Sequence, residues 1–130
     1  MFFVMENIVT FSRALADATR WRIVCLVRDR ALCVCELADI LEMPQSSVSS
    51  HVQVIRKAEL LESEKCEKWT YFRIDPKYRK LIASLAKFFA DSDAAVLEVD
   101  AARALQRLAQ RESSCCAGPK SLTTRRTIKS

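Results

Sequence analysis

The sequence is poor in the residues that catalytic sites and membrane segments require. It contains one glycine (Gly118) and one histidine (His51) in 130 residues. A single glycine cannot form a phosphate-binding loop, and one histidine without paired catalytic carboxylates leaves no acyl-transfer site, so we expect the protein not to be an enzyme. No apolar run approaches the roughly 18 residues of a membrane span, and the N-terminal MFFVM is too short, and lacks the basic residues, for a signal peptide. We therefore predict a cytoplasmic protein with no membrane partner.

Cysteine is the reactive residue that the chain does contain, at six positions. Without an export signal these cysteines are expected to be thiols and not a disulfide framework. The apolar content of 50% is enough for one small core. Positive charge is concentrated in residues 103–130, with seven basic residues and one acid, while residues 44–80 hold eight basic and five acidic residues. The second stretch predicts a modest positive surface of the kind that faces a duplex.

Two short helices joined by a break are predicted over residues 33–61. Apolar side chains recur at helical spacing in both halves, at Val34, Leu37, Ile40 and Leu41, and then at Val48, Val52 and Ile55. Pro44 follows the break, and we expect it to be the first residue of the second helix, where its missing N–H is not needed. This pattern is typical of a helix-turn-helix.

The outward face of the second helix is predicted to be small and polar. Residues 45–55 hold four serines, two glutamines and no charged side chain other than the histidine. Short serines let a helix enter the major groove, Gln53 can bond to adenine, and Arg56 can reach phosphates. We therefore favour DNA recognition over a merely solvated face. The predicted contacts are Gln45, Ser46, Ser47, Ser49, Ser50, His51, Gln53, Arg56 and Lys57.

After Leu61 the apolar pattern changes to a period of two, with ESEK and WTYFRI as strands around a CEK connection. We predict a β-hairpin, the wing, in which Lys65, Lys68 and Arg73 contact phosphates or the minor groove; a solvated hairpin is the alternative. Cys66 is expected near the tip and exposed. The predicted fold class is mostly α with a β-hairpin wing, a winged helix-turn-helix.

Amphipathic helices are predicted on both sides of this unit. They cover residues 3–15, 18 to about 28 with Asp17 as cap, a helix beginning at Pro76, and 94–110 after an interruption at 91–93. Their apolar stripes exceed what one small core needs, so we predict a homodimer, with burial inside one subunit as the alternative. Residues 1–111 should form the DNA-binding and dimerisation domain, and residues 112–130 a flexible basic tail.

Cys33 stands where a serine would cap the first helix of the pair, with Glu36 in the capping-box position. Helical residues at i and i+2 diverge by about 200°, but a non-helical cap folds over the first turn, so Cys33 and Cys35 can converge on one ion. A helix N-terminus favours thiolates, which select arsenite, antimonite, Cd, Pb or Zn. Two incidental buried cysteines are the alternative.

Cys115 and Cys116 are vicinal thiols in the predicted tail. They are candidates for a separate site for arsenite or methylated arsenic. They are equally candidates for completing a three-thiolate shell with Cys33 and Cys35, in one subunit or across a dimer. A redox-labile pair without a ligand is the alternative.

The segments LADATRWRIV, LCVCELADIL, QSSVSSHVQVIRKAELL and KWTYFRI, within residues 14–74, resemble the ArsR/SmtB family of dimeric, winged-helix, metal-responsive repressors. LCVCEL is similar to the arsenite-sensing branch, in which cysteines at the start of this helix bind the inducer. Ala38 stands where that branch usually has a third cysteine, and Glu59 where a glycine commonly closes the recognition helix. The resemblance implies a repressor of double-stranded operator DNA that As(III) or Sb(III) releases. Release by Cd, Pb or Zn, a thiol redox switch, and a protein-binding winged helix are the alternatives.

Overall fold

The computed structural model describes residues 2–111, 118–120 and 122. In chain order its elements are α1 (Phe2–Leu15), α2 (Ala18–Val27), β1 (Leu32–Cys33), α3 (Val34–Leu41), α4 (Gln45–Lys57), β2 (Leu61–Cys66), β3 (Trp69–Ile74), α5 (Pro76–Phe88) and α6 (Ala90–Ala109). The strands form an antiparallel sheet in the order β1-β3-β2. The predicted winged helix-turn-helix is confirmed. Within the described ranges, no helix combines the length and the apolar character needed to cross a bilayer.

The helix-turn-helix consists of α3 and α4, joined by a tight corner. Glu42 ends α3 in the left-handed region, with φ of 57°, and its N–H donates to the Ala38 carbonyl. Pro44 is the N-cap of α4, with φ of −61° and ψ of 144°, and its carbonyl accepts from Val48 N at 3.2 Å. The prediction that Pro44 would be the first helical residue is wrong by one position, because its ψ is that of extended backbone.

The apolar stripes of the two helices meet in one core. Val48, Val52 and Ile55 of α4 are completely buried, together with Leu37 and Ile40 of α3. The same cluster takes in residues of α2, β3 and α5. Burial of this stripe fixes α4 with its opposite face toward solvent, because helix faces are set by the 3.6-residue period.

The wing is the hairpin of β2 and β3, closed by a two-residue turn at Glu67 and Lys68. Glu67 adopts a φ of 58°, in the left-handed region. Cys66 pairs with Trp69 inside the hairpin and is half-buried. The prediction of an exposed Cys66 in the connection is therefore wrong, because the strand pairing extends up to it.

A third strand, β1, was not predicted. Its two residues pair with β3, Leu32 opposite Phe72 and Cys33 opposite Tyr71. Two residues are too few to show a period-two pattern in the sequence. Cys33 thus belongs to the wing sheet and also caps α3, so one residue joins the wing to the helix-turn-helix.

The two C-terminal helices differ from the prediction at their junction. The helix predicted to begin at Pro76 does so, and Asp75 caps it by accepting from Lys77 N at 3.0 Å. The break before α6 lies at Phe89 and not at residues 91–93. Asp91 falls in the first turn of α6, where the partial positive charge of a helix N-terminus favours a carboxylate.

Large apolar side chains are exposed on the helices that flank the helix-turn-helix. On α1, α5 and α6 they are Ile8, Val9, Leu81, Phe88, Phe89, Val96, Val99 and Leu105. Phe88 is 80% exposed and Leu105 65% exposed. So much exposed apolar surface is typical of an interface with a partner.

Candidate nucleic-acid interface and thiol site

The face of α4 opposite the core carries the side chains that the sequence predicted for DNA contact. Gln53, Arg56 and Lys57 are exposed, as are Gln45, Ser46 and Ser50, whereas Ser47, Ser49 and His51 are half-buried. The Ser50 hydroxyl donates back to the Ser46 carbonyl at 3.1 Å. Arg56 lies over the Phe72 ring, with 5.8 Å between its guanidinium carbon and the ring centroid. The face is therefore accessible, short and polar, with its basic residues at the helix C-terminus.

His51 is placed differently from the other predicted contacts. Its Nδ1 lies 3.4 Å from Arg20 Nη1 and 3.8 Å from Asp17 Oδ2. Arg20 also donates from Nε to the Ala14 carbonyl at 2.8 Å. His51 therefore joins α4 to the start of α2. Its imidazole already contacts Arg20 and Asp17, so a DNA phosphate would have to bind the same ring beside them.

On the wing, two of the three predicted basic contacts are exposed. Lys65 and Lys68 face solvent, and Lys68 Nζ lies 5.3 Å from the Trp69 ring centroid. Arg73 is buried, with 5% of its surface exposed, and its Nη2 lies 2.7 Å from Glu62 Oε2. The structure therefore does not support Arg73 as a DNA contact, because the β2–β3 register places it opposite Glu62.

Cys33 occupies the N-cap of α3 that the sequence predicted, with φ of −93° and ψ of 171°. Its backbone N–H donates to Glu36 Oε1 at 3.2 Å, as a capping box requires. Cys33 is 1% exposed, in a buried cluster with Tyr71, and the half-buried Cys35 packs against that cluster. Both cysteines therefore border one apolar cluster at the entrance of α3, and Cys33 is covered.

Glu36 carries a buried carboxylate that ties α6 to this entrance. It is completely buried, and Arg111 donates to it from Nε at 2.7 Å and from Nη2 at 2.9 Å. Arg107 Nη1 lies 4.0 Å away, and Arg111 also donates to the Ala31 carbonyl at 2.7 Å. Burial lowers the pKa of Arg111, but the hydrogen bond and charge of Glu36 outweigh it and raise that pKa above its ordinary value. The sequence predicted Glu36 as a cap and gave no signal for its partner 75 residues later.

Part of the predicted thiol site falls outside the described residues. Cys115 and Cys116 are among the residues of which no structure is given. Within the described part of the chain, no three His, Cys, Asp or Glu side chains are grouped so as to hold a metal ion. Cys33 and Cys35 therefore lack a third ligand from that part.

The predicted tail is held against the wing wherever it is described. Gly118 N donates to the Tyr71 hydroxyl at 2.7 Å, and Lys120 N to Glu64 Oε2 at 3.0 Å. Leu122 is 2% exposed. Gly118, Lys120 and Leu122 therefore have partners on the sheet, and the predicted flexibility of residues 112–130 as a whole stays a prediction.

The chain is similar to known bacterial regulators. Residues 17–63 match the family model described as "Bacterial regulatory protein, arsR family". The arsenic resistance transcriptional regulator ArsR1 of Pseudomonas putida is 34% identical over 103 residues, 78% of this chain and 80% of that protein. The arsenical resistance operon repressor of Escherichia coli is 38% identical over 65 residues, 49% of this chain and 56% of that protein. The homodimeric winged helix-turn-helix domain of Mb0332 from Mycobacterium bovis, a possible ArsR-family regulator, has a TM-score of 0.62 at 24% identity, covering 68% of this chain and 82% of its own.

Proposed function

Because the chain belongs to the ArsR family of bacterial transcriptional regulators, we propose that it is a homodimeric repressor that trivalent arsenic releases from operator DNA. One observation carries the proposal. Cys33 caps α3, and α3 packs on α4, the helix whose exposed polar face is suited to the major groove. A ligand at this cap therefore acts one helix away from the DNA-facing residues. Antimonite and methylated arsenic share the soft trivalent centre and belong to the same proposal.

The inducer site is proposed to begin with Cys33 and Cys35. Each thiol that binds arsenous acid replaces one hydroxide, so that one As–S bond forms and one water leaves. A third sulfur would come from Cys115 or Cys116.

The release step is proposed to be a distortion of the first turn of α3. Drawing Cys33 and Cys35 onto one pyramidal centre pulls on a turn that Glu36 holds through the Cys33 N–H. Helix α3 shares its core with α4, so a shift of the turn moves the DNA-facing helix. A coupling of about 3 kcal/mol, the upper end of typical values, would lower operator affinity roughly a hundredfold.

Homodimerisation is proposed to bury the exposed apolar side chains of α1, α5 and α6. A dimer presents two α4 helices, which suits an imperfectly palindromic operator with half-sites one helical turn apart. Sedimentation analysis of a Val96→Glu variant tests this, with Val54→Glu, an exposed valine on α4, as the control. We expect dissociation only for Val96→Glu, because a charge at a buried interface has no partner.

Operator release is tested by gel shift with DNA selected by the protein from a random pool. Arsenite, methylated As(III), antimonite, Cd, Pb and Zn are titrated against the wild type and against single Cys→Ser variants. We expect arsenite to release the wild type, and Cys33→Ser and Cys35→Ser to abolish release while DNA binding is kept. Cys25→Ser, in α2, is the control and should respond fully. Full responses from Cys33→Ser and Cys35→Ser would refute the proposed site, and release only by Cd, Pb or Zn would refute arsenic as the inducer.

A thiol redox switch is separated from metalloid binding in the same assay. Peroxide without arsenite, followed by reductant, should leave DNA binding unchanged if ligation is the signal. Reversible loss of binding under peroxide alone would favour the redox function instead. A DNA affinity that does not change with salt concentration would favour a protein-binding module, because phosphate contacts release counterions.

A further inference from the structure

One face of the wing sheet points away from the helical core and is defined here as the outer face. It carries Cys33 of β1, Glu64 of β2, and Tyr71 and Arg73 of β3. The register pairs Cys33 with Tyr71 and Tyr71 with Glu64, and directly paired residues point to the same side of a sheet. Arg73 lies two residues after Tyr71 and shares that side. A DNA-binding wing has no need of this face, because its basic residues Lys65 and Lys68 are exposed elsewhere.

Side chains of the outer face form hydrogen bonds with the backbone of a short peptide segment. Glu64 accepts from Lys120 N at 3.0 Å and from Leu122 N at 3.1 Å. The Tyr71 hydroxyl accepts from Gly118 N at 2.7 Å, and Arg73 donates to the Leu122 carbonyl. The backbone N–H groups of Gly118, Lys120 and Leu122 and the carbonyl of Leu122 thus have side-chain partners on the sheet.

The side chain of Leu122 fills an apolar socket on the same face. Leu122 is 2% exposed and forms one buried cluster with Ala31, Cys33 and Tyr71. Cys33 is 1% exposed in that cluster. Leu122 therefore covers the socket next to Cys33, the N-cap of α3.

The only glycine of the chain lies at the start of the segment. Gly118 has a φ of 98°, and a Cβ there would stand 3.0 Å from Arg111 Nη1. The backbone thus approaches closely to the guanidinium that binds Glu36. Side chains other than hydrogen are disfavoured at this φ, so the glycine permits the approach.

We propose that the outer face is a peptide-binding site for a segment of the chain's own C-terminal part, described at residues 118–120 and 122, and that the docked segment closes Cys33 to soft ligands. The consequence for regulation rests on the proposed function, since it assumes that Cys33 binds the inducer. Docking and ligation then compete for the same residue. The apparent affinity of Cys33 for a ligand equals its intrinsic affinity multiplied by the fraction of molecules in which the segment is released.

Alkylation of the full-length protein tests the closure without any inducer. Iodoacetamide reacts with a thiolate by forming an S–C bond and expelling iodide, and peptide mass spectrometry gives the rate for each cysteine. We expect Tyr71→Phe, which loses one hydrogen bond to the segment, to raise the Cys33 rate about fivefold. Leu122→Ala, which empties the socket, should raise it at least tenfold. Val54→Ala, an exposed apolar side chain of α4 outside the proposed dimer interface, is the control and should change nothing.

A free peptide separates docking from general stability. The peptide AGPKSLTT, added in excess to the Leu122→Ala protein, should restore slow alkylation of Cys33, whereas AGPKSATT should not. Cys25 in α2 serves as the reference within the same molecule. Unchanged Cys33 rates in both variants, an equal rise at Cys25 and Cys33, or no difference between the two peptides would each overturn the proposal.

The outcome is distinguishable from that of the proposed function. If the variants expose Cys33 and arsenite still fails to release operator DNA from the wild type, the peptide site stands and the proposed inducer is wrong. If arsenite releases DNA and the alkylation rates do not change, the inducer stands and the closure is wrong. If both hold, Leu122→Ala should need at least tenfold less arsenite for release.

Discussion

Replacing Glu36 by glutamine tests the buried junction between α3 and α6. The carboxylate accepts three hydrogen bonds of 3.2 Å or less, one from Cys33 N and two from Arg111. A glutamine keeps one acceptor oxygen but leaves the guanidinium, whose side chain is 17% exposed, without a counter-charge. Removing one partner of a buried ion pair costs about 3–5 kcal/mol. Because Arg111 retains some contact with water, we expect the lower end, about 3 kcal/mol.

The measurement is urea unfolding followed by circular dichroism at fixed protein concentration, since dimerisation would add to the apparent stability. With a slope near 1.5 kcal/mol per molar urea, 3 kcal/mol moves the midpoint by about 2 M. Glu42→Gln is the matched control: its ion pair with Arg103 is 3.4 Å long with 69% of the Glu42 side chain exposed, and it should cost under about 0.5 kcal/mol.

A double-mutant cycle with Arg111→Met isolates the pair. We expect a coupling energy of about 2 kcal/mol between Glu36 and Arg111, because each single change strands the other charge while the double change removes both. A loss below 1 kcal/mol for Glu36→Gln, or a coupling near zero, would show that the carboxylate does not hold α6 to α3 and would refute the reasoning.

Three further changes test the caps and the DNA-facing helix. Glu59→Gly should raise the free energy of unfolding by about 1 kcal/mol in thermal melts, because Glu59 has a φ of 63° that glycine adopts without strain; a lower melting temperature would contradict this. Asp17→Ala should cost about 1 kcal/mol at pH 7. The Arg20 N–H holds the pKa of Asp17 below its ordinary value in the folded protein. The stability difference between the wild type and Asp17→Ala should therefore be complete above about pH 4 and shrink as the pH falls through the folded pKa. A stability difference that does not change with pH would contradict this reasoning. Gln53→Ala should weaken specific over nonspecific DNA binding by about 1–3 kcal/mol in fluorescence titrations, whereas Gln106→Ala, an exposed glutamine of α6, should not; equal effects would exclude α4 as the reading helix.

The helices and their caps were predictable because their signals are local. Val48, Val52 and Ile55 repeat at helical spacing and are buried, and Asp17 and Asp75 cap the helices they precede. Such patterns need only neighbours within four residues. The same locality explains the capping box at Cys33, which requires one residue three positions away.

Arg73 shows where local reasoning stops. WTYFRI is aromatic and β-branched, as a strand should be, and the sequence offered no reason for the Arg73 side of β3 to be covered. The cover comes from Leu122, 49 residues later, whose carbonyl accepts from Arg73. The composition of residues 112–130, rich in serine and basic residues, predicts a solvated segment. Composition gives only an average tendency and does not identify the particular residues that a segment contacts. The same limit concealed the ion pair of Glu36 with Arg111.

Cys33 is where three parts of the fold meet, and this bears on how a small ligand could act on DNA. Through β1 it pairs with Tyr71 of the wing, as N-cap it begins α3, and through Glu36 it is linked to Arg111 just after α6. A ligand shifts an equilibrium only by its difference in affinity between two states. A thiol on an exposed surface, far from other contacts, would bind the ligand almost equally in both states, because no other contact changes on binding. In the proposed release step, a ligand bound at Cys33 alters the strand pairing, the helix cap or the ion pair, and each of these contacts is worth on the order of 1–3 kcal/mol. The roughly 3 kcal/mol needed for a hundredfold release therefore requires only one or two of these contacts to change.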